Sequence, residues 1–146
     1  MSHSGGEIRR ARVFPARLAA SSEVAAFIAE TCAAGGIARD LCLRLTLLVE
    51  ELFVNTVTHG HGGDSEAPVE LTLDVGPGRI ALVYEDTAPP YDPFVAVTPP
   101  DEAAGVEERP VGGLGVFLVS SLARGIRYNR TGGKNRIDLV LSPPRD

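Results

Sequence analysis

A chain of 146 residues, 44% hydrophobic and 23% charged, has the size and composition of one globular domain with a proper buried core. Its formal net charge of −5 argues against a dedicated nucleic-acid binder, whose affinity rests on Lys and Arg neutralising phosphates. No apolar run reaches transmembrane length, and Met1 to Gly6 lacks the apolar core of a secretory signal, so a cytoplasmic protein that does not engage a membrane is expected.

Residues 1–7 carry no pattern and are expected to be disordered, residues 8–142 to form one domain, and residues 143–146 a short tail. Residues 8–14 mix β-branched, aromatic and Arg side chains and predict a strand, placed at an edge by its charge and by Pro15. Ser21 or Ser22 caps a helix that Gly35-Gly36 stops after Ala34. Cys32 in this helix and Cys42 in the next lack metal-ligand spacing, which predicts two buried free thiols.

Asp40 reads as the cap of a second helix, which Gly60 ends. From Leu41 to His59 it contains neither Gly nor Pro. Leu41, Leu45, Leu48 and Leu52 line one side, Leu43, Leu47, Val54 and Val57 another, and Val49 and Phe53 lie between. A helix apolar almost all round is expected to be buried almost all round. After a polar loop over residues 61–68, two strands over 69–75 and 79–85 flank Gly76-Pro77-Gly78 as a hairpin.

Residues 87–111, rich in Pro and acid, predict a lid or binding loop. Residues 112–124 read as a glycine turn opening a helix that Gly125 ends. Strands over 126–130 and 135–141 close the chain as a hairpin around Thr131 to Lys134. The order strand, helix, helix, hairpin, lid, helix, hairpin predicts an α+β fold, a mixed or antiparallel sheet with its helices on one face.

Glu51, Asn55 and His59 are spaced i, i+4, i+8 on the second helix and share one face. A carboxylate and a carboxamide one turn apart in so apolar a helix need a partner. The Asn55 carbonyl oxygen suits a hard cation such as Mg²⁺, and Glu51 has the chemistry to polarise a water or hydroxyl. The structural alternative is a polar pair bonded to backbone or to Arg44 on the same stripe. His59 belongs either to such a site or simply to the helix C-terminus, where a cation is favoured. With His61 and no third ligand it makes a poor metal site.

Asp86, at the end of a hydrophobic strand, is placed to accept a hydrogen bond from the exocyclic amine of a base, although Asp also favours turns on its own account. The Gly112-Gly113-Leu114-Gly115 turn before a helix is an anion site in principle, but taken singly it is more often just a tight loop. It lacks the Lys-Ser/Thr of a P-loop.

Together and in this order, these boxes resemble a known family. Glu51-x-x-x-Asn55-x-x-x-His59-Gly60 resembles the N box of the histidine-kinase-like (GHKL, Bergerat-fold) ATPases. Asp86 with Ala88-Pro89-Pro90-Tyr91-Asp92-Pro93 is similar to the box around their adenine-binding aspartate, and Gly113-Leu114-Gly115 to their second glycine box. Within the superfamily, the Tyr91-Asp92-Pro93 run and the ending with Tyr128, Arg130, Gly133 and Asn135 look most like the bacterial anti-sigma-factor serine/threonine kinases.

The resemblance implies a two-layer α/β sandwich with a mixed sheet that binds ATP and Mg²⁺ between the long helix and the lid. Glu51 matches the general base and Asn55 the Mg²⁺ ligand. Asp86 matches the adenine acceptor with Ala88 beside it, and the amides of Gly113, Leu114, Gly115 and Val116 the phosphate cradle. His59, Arg109 and Asn135 are further candidates. Family kinases commonly form homodimers, sequester a sigma factor and phosphorylate a Ser or Thr of an anti-anti-sigma antagonist.

Two departures stand out. Ala88 replaces the family's Gly, which brings a methyl group to the adenine pocket, and the lid carries Asp101, Glu102, Glu107 and Glu108. They favour a second reading, a regulatory module of the same fold that holds its partner without phosphorylating it.

Overall fold

In the computed structural model, which describes residues 7–90 and 123–142, period-two alternation builds the sheet. In β2 (Pro68–Gly76) Val69, Leu71, Leu73 and Val75 are buried, and in β3 (Arg79–Asp86) Ile80, Leu82, Tyr84 and Asp86 are buried, with partly exposed residues between them. The same phase recurs in β5 (Lys134–Leu141) at Asn135, Ile137, Leu139 and Leu141. One face of each strand is therefore apolar and needs a cover.

That cover is two helices, α1 (Ser21–Ala34) and α2 (Arg39–Asn55). Val24, Phe27, Ile28 and Cys32 of α1 join Leu41, Leu45, Leu48, Val49, Leu52 and Phe53 of α2 in one cluster with the inner sheet residues. Adding β1 (Ile8–Pro15) and β4 (Ala123–Thr131) gives the strand order β1-β2-β3-β5-β4. This is the expected α+β architecture. Every pairing among the described strands is antiparallel, so the mixed sheet implied by the resemblance is not found among them. The two tight hairpins, β2–β3 and β4–β5, can pair only in that sense.

β1 is an edge strand, as its Arg residues predict, and of its residues only Phe14 is fully buried. Arg12 lies on the Phe14 side of the strand, with its guanidinium 4.9 Å from the ring centroid and 3.7 Å from Glu23 of α1. A charge on the inner side of an edge strand discourages a further strand from pairing there.

Several local expectations are corrected. Neither helix has a side-chain cap of its own. α2 is preceded by Ala38, and Asp40 lies in its first turn, paired with Arg44 at 3.2 Å. α1 follows directly on a 3₁₀ turn, Leu18–Ala20, so Ser21 is already helical. The free amide at the start of that turn, Leu18 N–H, is capped instead by Asp64 Oδ1 at 2.9 Å. Ser65 and Ala67 hold the loop there through backbone bonds to Ala16.

α2 is also less buried than its composition predicts: Leu43, Leu47 and Val54 are exposed. The sheet covers only one side of the helix, and α1 a second. Gly125 does not end a helix. β4 already begins at Ala123, and its register with β5 shifts between Arg124 and Arg127, an irregularity for which glycine suits the backbone. Of the lid expected over residues 87–111, residues 91–111, with Asp101, Glu102, Glu107, Glu108 and Arg109, lie outside the described residues. So do residues 112–122, with Gly113, Leu114, Gly115 and Val116. Among the described residues no helix is long and apolar enough to cross a membrane.

Candidate functional site

The end of the long helix is where local sequence and site geometry meet. α2 does not run on as an α-helix to Gly60. After Asn55 it widens into a π turn, Thr56–Gly60, in which His61 N–H reaches back five residues to Thr56 O at 2.9 Å. The Thr58 hydroxyl donates to Val54 O, four residues back, at 2.7 Å, and the Thr56 hydroxyl lies 3.0 Å from Leu52 O. Such back-bonding loosens an α-helix, and π turns cluster at functional sites. His59 is exposed and does not line the pocket.

That pocket opens between the end of α2 and the sheet. It is lined by Leu52, Asn55, Thr56 and Gly60 from the helix side and by Tyr84, Asp86, Ala88, Asn135 and Ile137 from the sheet side. Asn55, Asp86, Ala88 and Asn135, four of the residues singled out in the sequence, are thus brought together.

Asp86 is only 7% exposed and is held by both oxygens. Its Oδ1 accepts from Ala88 N–H at 3.0 Å and from Asn135 Nδ2 at 2.8 Å, and its Oδ2 from the Thr56 hydroxyl at 2.8 Å. The sheet register explains the Asn135 contact, because Asp86 stands directly opposite Asn135, on the inner face of both strands. Asn135 also donates to Ala88 O and Pro89 O at 3.0 Å each, and it accepts from the Tyr128 hydroxyl. Arg130 adds a bond to Ala88 O at 2.6 Å. The segment leaving β3 is therefore pinned beside the carboxylate.

Thr56 and Tyr84 were not visible as site residues in the sequence, although their hydroxyls lie 2.7 Å apart inside the pocket wall. Tyr84 had one available signal: it precedes Asp86 by two residues on β3 and so shares its inward face. Burial holds its phenol protonated far above the usual range, with the Asp86 charge adding to the effect and the Thr56 hydrogen bond opposing it.

Ala88 carries the methyl group that departs from the resembling pattern. It is 2% exposed and faces Gly60, where an added Cβ would lie 2.6 Å from the Ala88 Cβ. Gly60 is the residue that makes room for it.

Glu51 lies one turn before Asn55, outside the pocket lining. Desolvation, with the neighbouring Glu50 carboxylate second, raises its carboxyl above the ordinary value. Neither Glu51 nor Asn55 makes a side-chain hydrogen bond among the described residues, and Arg44 is engaged with Asp40. The structural alternative of a pair satisfied by Arg44 is not what is found. Among the described residues no group of three His, Cys, Asp or Glu forms a metal site. Any cation here would rest on few protein ligands and a ligand's phosphates, as Mg²⁺ commonly does.

Cys32 and Cys42 are free thiols in mutual contact across α1 and α2. Burial, then the Cys42 side chain, pushes the Cys32 thiol up to about 12.

Comparison with known proteins agrees with this geometry. The family described as histidine kinase-like ATPase domain matches residues 14–141. The chain is also 30% identical, over 96 residues, to the serine/threonine-protein kinase BtrW of Bordetella bronchiseptica, covering 66% of this chain and 67% of that protein.

Proposed function

The chain belongs to the histidine kinase-like ATPase domain family, and from that premise we propose that it is an ATP-dependent protein serine/threonine kinase acting as an anti-sigma regulator. The observation that carries the nucleotide part is Asp86, a buried carboxylate opening on a pocket with one acceptor position left unfilled among the described residues. An amino group on the edge of a purine satisfies such an acceptor, and a carbonyl is repelled by it.

The rest of the donor set fits ATP with Mg²⁺. Asn55 would offer its carbonyl oxygen to the cation, which neutralises phosphate charge when bound. Glu51, with its raised carboxyl, would accept the proton of an incoming Ser or Thr hydroxyl. A base is most effective when its pKa lies nearer the working pH. Asn135 and Arg130 hold the Ala88 carbonyl and so keep the adenine side of the pocket in place.

Similarity to a protein named a serine/threonine kinase supports the reaction class. Partner switching extends the proposal: the protein sequesters a sigma factor in the cytoplasm, as a homodimer, and phosphorylates an anti-anti-sigma antagonist. The alternative reading is a regulatory module of the same fold without kinase activity; Ala88 lines the pocket, and Gly60 leaves its methyl room. Incubation of the purified protein with γ-labelled ATP, Mg²⁺ and a candidate antagonist tests the proposal. Label on a Ser or Thr of the antagonist is the expected result. ATP binding without transfer would leave the module.

A further inference from the structure

Thr56 sits at the junction of three polar groups, and the placement of hydrogens there is decided by counting. The Tyr84 hydroxyl has one neighbour among the described residues able to bond it, Thr56 Oγ1 at 2.7 Å. Were Thr56 the donor in that pair, the proton of a fully buried tyrosine would be left without an acceptor, which buried hydroxyls avoid. Tyr84 therefore donates to Thr56.

The single proton of Thr56 is then free to go to Leu52 O at 3.0 Å or Asp86 Oδ2 at 2.8 Å. Leu52 O already receives the backbone N–H of Thr56, whereas Asp86 Oδ2 has no other donor among the described residues. A bond to a charged acceptor is also the stronger one. The proton goes to Asp86, and the bonds run in one direction, Tyr84 to Thr56 to Asp86.

We infer that Thr56 is a positioning residue for purine recognition: its hydroxyl fills one of the last two acceptor positions of Asp86 and leaves one, facing the pocket. The inference rests on the nucleotide reading above and adds to it the residue that sets how sharply the ring edge is read. With Ala88 N–H and Asn135 on Oδ1 and Thr56 on Oδ2, three of about four lone-pair directions are occupied. The carboxylate cannot turn, and it presents an acceptor and no donor. Without the Thr56 hydroxyl, Oδ2 takes up a water, which places a donor in the pocket to which a 6-carbonyl purine can bond.

The test is titration of the purified protein with ATP and with ITP, which carries a carbonyl in place of the 6-amino group, both with Mg²⁺. Wild type is expected to prefer ATP by at least about 10²-fold, because a mismatched ring leaves a buried polar group unpaired. Thr56→Val keeps the side-chain shape, and it should lower that preference by about tenfold or more. Thr56→Ser restores the donor and should return the preference to within about threefold of wild type. A purely structural role would weaken both nucleotides alike and leave their ratio unchanged. Should Thr56→Val fail to melt cooperatively, Thr56→Ala, which only removes atoms, takes its place in the same titration. Wild-type preference that survives Thr56→Val or Thr56→Ala unchanged overturns the inference and leaves the nucleotide reading standing. Absence of binding to either nucleotide in a folded wild type overturns both.

Discussion

Gly60 and Ala88 meet so closely that a Cβ on Gly60 would come within 2.6 Å of the Ala88 methyl. One residue ends the π turn after α2, the other follows β3, and their contact closes one end of the pocket. Gly60 does not have a positive φ, so the constraint on it is space rather than backbone conformation. Gly60→Ala should destabilise the fold by about 1–3 kcal/mol, as overpacking does. Adding Ala88→Gly should recover about 1 kcal/mol or more of that loss, a coupling that urea denaturation of the two single variants and the double variant would measure. Strict additivity would mean that the two residues do not share the space.

Asn55→Ala should leave the protein folded and remove Mg²⁺-dependent ATP binding. The Asn55 side chain has no hydrogen-bond partner among the described residues, so little native structure depends on it. Deleting a polar group whose partner is a ligand need not destabilise the fold. Calorimetric titration with ATP and Mg²⁺ at wild-type affinity would remove Asn55 from the metal shell.

Glu51→Gln separates a base from a ligand. ATP affinity should stay within a few-fold, while phosphoryl transfer falls by roughly 10²–10⁴. Desolvation and Glu50 raise the Glu51 carboxyl, and only its ionised form can accept a proton. Transfer should therefore fall as pH drops through a value above the ordinary one for Glu, and the glutamine variant should lack that acid limb. The sign for stability is the reverse. With its folded value raised, this group binds more protons in the native state, so its contribution weakens as pH rises through the interval between the unfolded and folded values. At neutral pH Glu51→Gln is expected to melt at or slightly above the wild-type temperature.

Asp86→Asn should damage stability and binding together. Three donors converge on the carboxylate, from Thr56, Ala88 and Asn135. An amide must turn its NH₂ towards at least one of them or towards the pocket. Leaving a buried donor unpaired costs about 1–3 kcal/mol, which urea denaturation reads directly. ATP affinity measured on the folded fraction should be lost as well. A variant of wild-type stability would mean that the three bonds contribute nothing net.

Cys32 should be chemically inert in the native protein. With its thiol pushed up to about 12, only on the order of 10⁻⁴ of it is thiolate at pH 8. Partly exposed Cys42 should take up iodoacetamide first, and mass spectrometry would show Cys32 labelled only after denaturation.

Asn55 and Asp86 could be read from the chain because each is a polar residue set in an apolar run, and their family boxes are local strings. Glycines and hairpin alternation likewise placed three of the four hairpin strands within one residue of their observed ends, whereas β4 begins at Ala123, three residues before the expected start at Ile126. Local patterns reach no further than the element that carries them. Asp40 looks like the cap of α2 in sequence but lies in its first turn, while Asp64, 46 residues from Leu18, caps the 3₁₀ turn that leads into α1. Gly125 looks like a helix stop, yet it lies inside β4, because pairing with β5 outweighs the local signal.

Composition and period by themselves determined the α+β class, the buried phase of each strand and the polar stripe of α2, since these depend on spacing along one element. Only tertiary structure decided that Leu43, Leu47 and Val54 stay exposed, because two covering layers leave part of a helix bare however apolar it is. It also decided that His59 is exposed and stays out of the pocket, in a π turn where the Thr58 hydroxyl bonds back along the helix. The saturation of Asp86 by Thr56, Ala88 and Asn135 is of the same kind. Hydrogen bonds between residues 30 and 49 positions apart exist only once the sheet register and the helix end are both in place.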